Sequence, residues 1–165
     1  MAERLAPLTR PGRLAWAILL VLLAWPAAAY EFRHGEARLV FRVPDEWSIQ
    51  RSPDGLIAQD EQGRLQFQFQ LLPHVDANLA LADVRQAIGE EFGPLAAVQE
   101  ARIKRNGLPV FSLEADGRHG DQPIRLWLAI VASPSKRQAL FVAFVDAKAA
   151  PRYGEQVRAV LAGGG

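Results

Sequence analysis

From position 37 to position 72 the chain alternates apolar and polar residues. In residues 37–43 (ARLVFRV), Leu39, Phe41 and Val43 face one way and Arg38, Val40 and Arg42 the other, a period of two that predicts a half-buried strand. Pro44-Asp45 breaks the run, and residues 46–49 resume it with Trp47 and Ile49 on one face. Ser52-Pro53-Asp54-Gly55 is turn chemistry, followed by a short strand over residues 56–59. A second turn at 60–63 leads into residues 64–72, where Leu65, Phe67, Phe69 and Leu71 alternate with Gln66, Gln68 and Gln70. This is the cleanest strand pattern in the chain.

Over residues 79–92 the period changes. Leu81, Val84, Ile88 and Phe92 are spaced three, four and four, which places them in one stripe of a helix. Asp76 or Asn78 supplies its N-cap and Gly93-Pro94 ends it. Strand signals return at 98–105 and 108–115, separated by Asn106-Gly107, both tolerant of the positive φ that a tight hairpin needs. After a turn at 117–122, residues 124–132 (IRLWLAIVA) and 139–145 (ALFVAFV) are apolar on both faces, as central strands covered on two sides would be. Pro151 suits a first helical turn, and Tyr153, Val157, Val160 and Leu161 form the stripe of a closing helix. Strands joined by tight turns pair antiparallel, so the expected class is α+β, an antiparallel sheet flanked by helices.

The N-terminal end has a different character. Arg4, Arg10 and Arg13 face a single acid, Glu3; twelve unbroken apolar residues follow at 14–25, then Pro26 and Ala27-Ala28-Ala29. Basic start, short apolar core and small-residue exit predict a secretory signal peptide over residues 1–29. Ala27 and Ala29 are its small cleavage-site residues and Tyr30 the first residue of the mature chain. A membrane span needs about 20 apolar residues, so no stable span is expected after cleavage. One domain is expected over 30–162, with 163–165 a frayed tail.

This division changes the charge. The 165 residues carry a net charge of +1, but three of the 19 basic and one of the 18 acidic residues leave with the leader, so that 16 basic face 17 acidic. The remainder has no basic footprint for nucleic acid. The chain has no cysteine, which excludes a disulfide scaffold, a zinc-thiolate site, a cysteine nucleophile, an iron–sulfur centre and a lipid-modified cysteine.

Tyr30-Glu31-Phe32 leading into a strand, followed by Phe41-Arg42-Val43-Pro44-Asp45-Glu46-Trp47, resembles the opening of PsbP-like and DcrB-like proteins. The helix at 79–92, the Asn106-Gly107-Leu108-Pro109-Val110-Phe111 segment, two long strands and a C-terminal helix follow in the same order, so the resemblance spans nearly all of 30–162. It implies an α/β/α sandwich around an antiparallel sheet. Members of that family include an extrinsic subunit of photosystem II, small bacterial envelope proteins and secretion-associated chaperones. Most act by binding, and no shared catalytic residue carries over.

Candidate chemistry is sparse. His34, His74 and His119 each precede an acid by two positions (Glu36, Asp76, Asp121), a spacing that directs both side chains of an extended segment to one side. All three fall at expected turns or strand ends, where solvated loop residues are the simpler reading, and no metal or other cofactor is assigned. None of Ser48, Ser52, Ser112, Ser133 and Ser135 sits in a Gly-x-Ser-x-Gly elbow, and no phosphate loop or dinucleotide fingerprint occurs. The acid pairs Asp45-Glu46, Asp60-Glu61 and Glu90-Glu91 diverge on a strand or a helix. Arg102, Lys104 and Arg105 form a small basic cluster, with Arg102 and Lys104 on one strand face, for which ordinary solubilising charge is the simpler reading; with Trp47, partly exposed if the sheet carries a groove, they are the surface-contact candidates.

These observations lead to an exported, periplasmic, non-catalytic binding or assembly module of the bacterial envelope whose partner is another envelope protein. A carrier of a hydrophobic or lipid ligand is the first alternative, and would show a continuous apolar cavity. A hydrolase with an unrecognised site is the second, and would bring at least two of the named His, Ser and acidic residues within hydrogen-bond reach in one cleft.

Overall fold

The computed structural model describes residues 29–105 and 107–163. A two-stranded hairpin comes first, β1 (Ala29–His34) and β2 (Leu39–Pro44). Then follow β3 (Ser48–Ser52), β4 (Gly55–Gln59), β5 (Leu65–Leu71), α1 (Ala77–Phe92), β6 (Ala96–Arg105), β7 (Leu108–His119), β8 (Gln122–Ala132), β9 (Gln138–Asp146) and α2 (Ala150–Gly163). The last seven strands form one sheet in the order β3-β4-β5-β9-β8-β7-β6, every neighbouring pair antiparallel.

β9 and β8, the two strands apolar on both faces, lie at the middle of this sheet. Their alternate residues feed two cores. Trp127, Ala129, Phe141, Ala143 and Val145 face the hairpin and α2. Leu126, Leu128, Ile130, Leu140 and Val142 face α1. In the first core Phe41 of β2 meets Phe67, Phe69 and Phe141 with ring centroids 5.1–6.1 Å apart. Ala139 and Ala143 flank Phe141 on β9, small side chains beside a large one, so that the hairpin seats directly on the sheet.

In the second core α1 buries Leu81, Val84, Ile88 and Phe92, the stripe its spacing predicts. Asp76 caps it, Oδ1 accepting from the backbone N–H groups of Asn78 (2.8 Å) and Leu79 (3.0 Å), and Gly93 ends it at φ +68°. β4 crosses β5 so closely that a Cβ on Gly55 would stand 2.0 Å from the Phe69 carbonyl oxygen, which only glycine avoids.

Several expectations shift at the edges of elements. The turn after β7 is narrower than 117–122, because pairing continues out to His119 opposite Gln122 with Gly120 in the left-handed region. Arg38 leaves the strand for the hairpin turn at φ +53°. Trp47 belongs to a turn, its N–H donating to the Pro44 carbonyl, and not to a strand. Gly163 is the last residue of α2 instead of frayed tail. The expected leader through Ala28, Asn106 and Gly164-Gly165 lie outside the described residues; Ala29 and Tyr30 pair with Pro44 and Val43 inside β1.

Candidate functional site

The sheet is covered unevenly. On the hairpin side α2 packs on β2, β8 and β9 and meets β6 through its C-terminal end, where Arg105 Nη1 donates to the Leu161 carbonyl at 2.6 Å. Between that helix end and strands β6–β8 lies a groove of about 190 Å³, lined by Gln99, Ile103, Ser112, Trp127, Arg158 and Leu161. A second cavity of about 190 Å³ shares Glu114, Trp127 and Arg158 with it and continues along α2 past Pro151 and Gly154.

A charge relay organises the floor. Glu114 stands in the middle of β7, its side chain one-tenth exposed; Oε1 accepts from Arg125 Nη1 at 2.7 Å and Oε2 from Arg158 Nη2 at 3.2 Å. Arg125 Nε also donates to Asp116 Oδ1 at 2.7 Å, the residue opposite it across the β7–β8 ladder. Burial alone would raise the Glu114 pKa, but the hydrogen bonds and charges of Arg125 and Arg158 outweigh it and hold the carboxyl below its ordinary value. Asp116 and Glu114 in turn raise Arg125 against its own desolvation. Arg158 is thereby held at the rim by β7, half exposed, with Glu155 3.5 Å away on its own helix.

Beside this relay the Trp127 indole is buried and its Nε1–H has no hydrogen-bond partner among the described residues. An unsatisfied buried donor costs about 1–3 kcal/mol relative to a satisfied one. The groove presents Arg158 paired with Glu114, Arg105 bonded to the Leu161 carbonyl, an amide at Gln99, a hydroxyl at Ser112, and apolar walls from Ile103 and Leu161.

The basic cluster expected at 102–105 splits between the two faces of β6. Arg105 belongs to the groove. Arg102 lies on the α1 face with its guanidinium 5.5 Å from the Phe111 ring centroid, and Arg85 of α1 takes up the same distance. Lys104 shares the Arg102 face. Trp47 is 4% exposed and packs in the hairpin-side core near Phe67, and it lines a small cavity with Asp60, Glu61 and Tyr153 instead of standing at the groove beside β6.

The histidines are apart. His34 is no solvated loop residue; it is buried, its Nδ1 accepts from Ala37 N–H at 3.1 Å, and its ring packs near Phe69. His74 Nε2 meets Asp83 Oδ2 at 2.7 Å on the exposed side of α1, and His119 packs near Phe92 and Phe144. Of the acids paired with them by spacing, Glu36 bonds Arg137 and Asp76 caps α1. Among the described residues no three His or acidic side chains converge on a metal position. Ser133 and Ser135 hydrogen-bond each other at 2.7 Å in the β8–β9 turn.

Asp60 has a structural task that its turn position does not announce. Its Oδ1 accepts from the N–H groups of Arg64 and Leu65, and its Oδ2 from the Tyr153 hydroxyl at 2.6 Å, tying the β4–β5 turn to α2. Burial pulls its pKa upward, yet these donors together lower it; the same bond, with burial, raises Tyr153.

Sequence reasoning missed Glu114, Arg125 and Arg158. A charge in each of two apolar strands was the available signal. Reflecting the chain about Gly120-Asp121 would have placed Asp116 opposite Arg125, but the wider expected turn hid that register.

An antiparallel sheet between α1 on one side and a hairpin plus α2 on the other defines an α/β/α sandwich of PsbP type. Solved structures share it across most of their length. Cyanobacterial PsbP from Synechocystis matches with a TM-score of 0.64 at 11% identity over 97% of this chain and 99% of its own. The Ran-binding protein Mog1p of Saccharomyces cerevisiae matches at 0.58 with 8% identity, covering 84% and 95%. LpqN of Mycobacterium tuberculosis, involved in cell envelope biogenesis, matches at 0.52 with 10% identity, covering 81% and 87%. No family model matches the chain, and no curated protein matches it. At such identities the likeness is one of fold. No helix among the described residues is long and apolar enough to cross a membrane.

Proposed function

We propose that this protein is an exported, periplasmic, non-catalytic binding or assembly module, and that its partner, an envelope protein, docks in the groove between α2 and strands β6–β8. The observation that carries this reading is the groove floor, where Trp127 has a buried donor without a partner among the described residues and Arg158 pairs with Glu114. Such a floor is built for recognition: its charges are fixed in place before a partner arrives, which lowers the ordering cost of binding. The PsbP-type sandwich supports the reading, since the Mog1p that shares it binds Ran and the LpqN that shares it is involved in cell envelope biogenesis. Export rests on the leader pattern of residues 1–29.

The cavities argue against a lipid carrier. A carrier needs one enclosed apolar cavity, whereas the two cavities beside α2 are open to solvent and share the charged Glu114 and Arg158 in their lining. A hydrolase reading gains nothing from the serines, whose only side-chain hydrogen bond among the described residues joins Ser133 to Ser135.

Immobilised protein and a periplasmic extract provide the test. Ser112→Arg, which fills the groove, should abolish capture of the partner held by the wild type; Ile57→Arg, on the exposed side of β4, should leave it intact. Equal capture by both variants would remove the groove from the function. Repeated failure to capture any partner, with measurable turnover of a generic ester, would overturn the binding reading itself.

A further inference from the structure

We propose that the chain forms a two-fold dimer by pairing β6 with β6 of a second copy, antiparallel and centred on Ala101, joining two seven-stranded sheets edge to edge. This does not depend on what the groove binds. β6 is the last strand of the sheet, ten residues long, and eight of the ten are exposed, Val98 and Ile103 among them. An open edge of that length offers a row of unpaired backbone N–H and C=O groups to another strand.

Symmetry restricts how a second copy can join. A two-fold axis normal to the sheet keeps each face on its own side, and residues directly opposite in a ladder share a face. Faces alternate along β6, so the axis must pass through a residue and not between two. From Gln99 onward the strand is regular, the register shift lying between Ala97 and Gln99.

Charge then selects among the positions. Centring on Glu100 or on Arg102 sets that charge against its own copy. Centring on Ile103 sets Arg102 against the partner's Lys104, twice. Centring on Ala101 sets Glu100 against the partner's Arg102 and Arg102 against the partner's Glu100, two opposite-charge pairs on one face, with the smallest side chain on the axis. On the other face Gln99 and Ile103 stand opposite each other. Glu100 is free to take this role, its contact to Arg85 being a 3.5 Å surface pair. The two grooves then open on the same side of the joined sheet, next to one another across the axis.

The absence of cysteine makes the register directly readable. Residues opposite in an antiparallel ladder have Cα atoms about 4.5 or 5.5 Å apart, inside the roughly 4.4–6.8 Å range of disulfides. Ala101→Cys alone should therefore cross-link to a covalent dimer under mild oxidation. Ile103→Cys alone should not, whereas a mixture of Ile103→Cys and Gln99→Cys should. In sedimentation experiments the wild type should be a dimer at high micromolar concentration. Glu100→Arg and Arg102→Glu should each be monomeric with an unchanged circular dichroism spectrum, and the double exchange should restore the dimer. A wild-type monomer overturns the proposal, including one that gains mass only when a different protein adds to the edge. Cross-linking of Ile103→Cys as efficient as that of Ala101→Cys overturns the register and with it the proposal.

Discussion

The two edges of the sheet differ in length and in what stands beside them. β3 has five residues, four of them exposed, and its Arg51 guanidinium lies 5.1 Å from the Tyr30 ring and 5.6 Å from the Phe32 ring of the β1–β2 hairpin. β6 has twice the length and, among the described residues, no such hairpin beside it. The hairpin and α2 occupy the hairpin side from β3 to β8, α1 occupies the opposite side over β7 and β8, and the region between α2 and β6 is left as a groove. One end of the molecule is therefore a closed core and the other a surface with fixed charges. The same sheet thus separates stability from recognition: the closed end supplies most of the buried aromatic contacts, and the open end carries the relay of Glu114, Arg125 and Arg158.

Substitutions placed along the sheet sharpen this contrast. Leu128→Ala, at the middle of β8 and 2% exposed, should cost about 2–5 kcal/mol in urea unfolding. A cost near zero would mean that β8 is not the centre. At the closed end, Gly55→Ala drives a methyl group into the Phe69 carbonyl, a backbone atom that cannot swing aside; about 3 kcal/mol, the upper end of overpacking, is expected. Tyr153→Phe should cost about 2 kcal/mol, since it removes a hydrogen bond to a carboxylate. At the open edge Ile103→Ala should leave the monomer within about 0.5 kcal/mol of wild type, as an exposed surface position does. A loss comparable to that of Leu128→Ala would show that β6 is part of the core.

The Tyr153→Phe effect should also depend on pH in a definite direction. The folded pKa of Asp60 is depressed, so its contribution is complete above its ordinary value of 3.8 and is lost as pH falls through the lower folded value. Tyr153 is raised, so its contribution is complete below its ordinary value of 10.0 and is lost as pH climbs through the higher folded value. The difference between wild type and Tyr153→Phe should hence be constant near neutrality and shrink toward both extremes. A difference that grew on acidification would contradict the Asp60 bond.

How far the fold was legible follows the range of the signal. The alternation in 64–72, the doubly apolar runs at 124–132 and 139–145, and the stripe of Leu81, Val84, Ile88 and Phe92 each mark an element through its own neighbours, and each appears where expected. His34 and Trp47 were misplaced because what buries them is remote in the chain: His34 reaches Pro53 and Phe69, and Trp47 reaches Phe67. Asp60 reads as a turn residue, and its partner Tyr153 is 93 positions away.

By itself the sequence determined the class of the protein, an antiparallel sheet with two helices, because periodicity is a local consequence of which faces must leave water. Tertiary structure alone decided that β5 pairs with β9 and not with its successor β6. That choice puts β6 at an edge and lets α1 cross one face while the hairpin and α2 take the other. Strand order, the open edge and the groove all depend on backbone hydrogen bonds and packing between segments far apart in the chain, and the residues on either side of such a contact carry no mark of which partner they will meet.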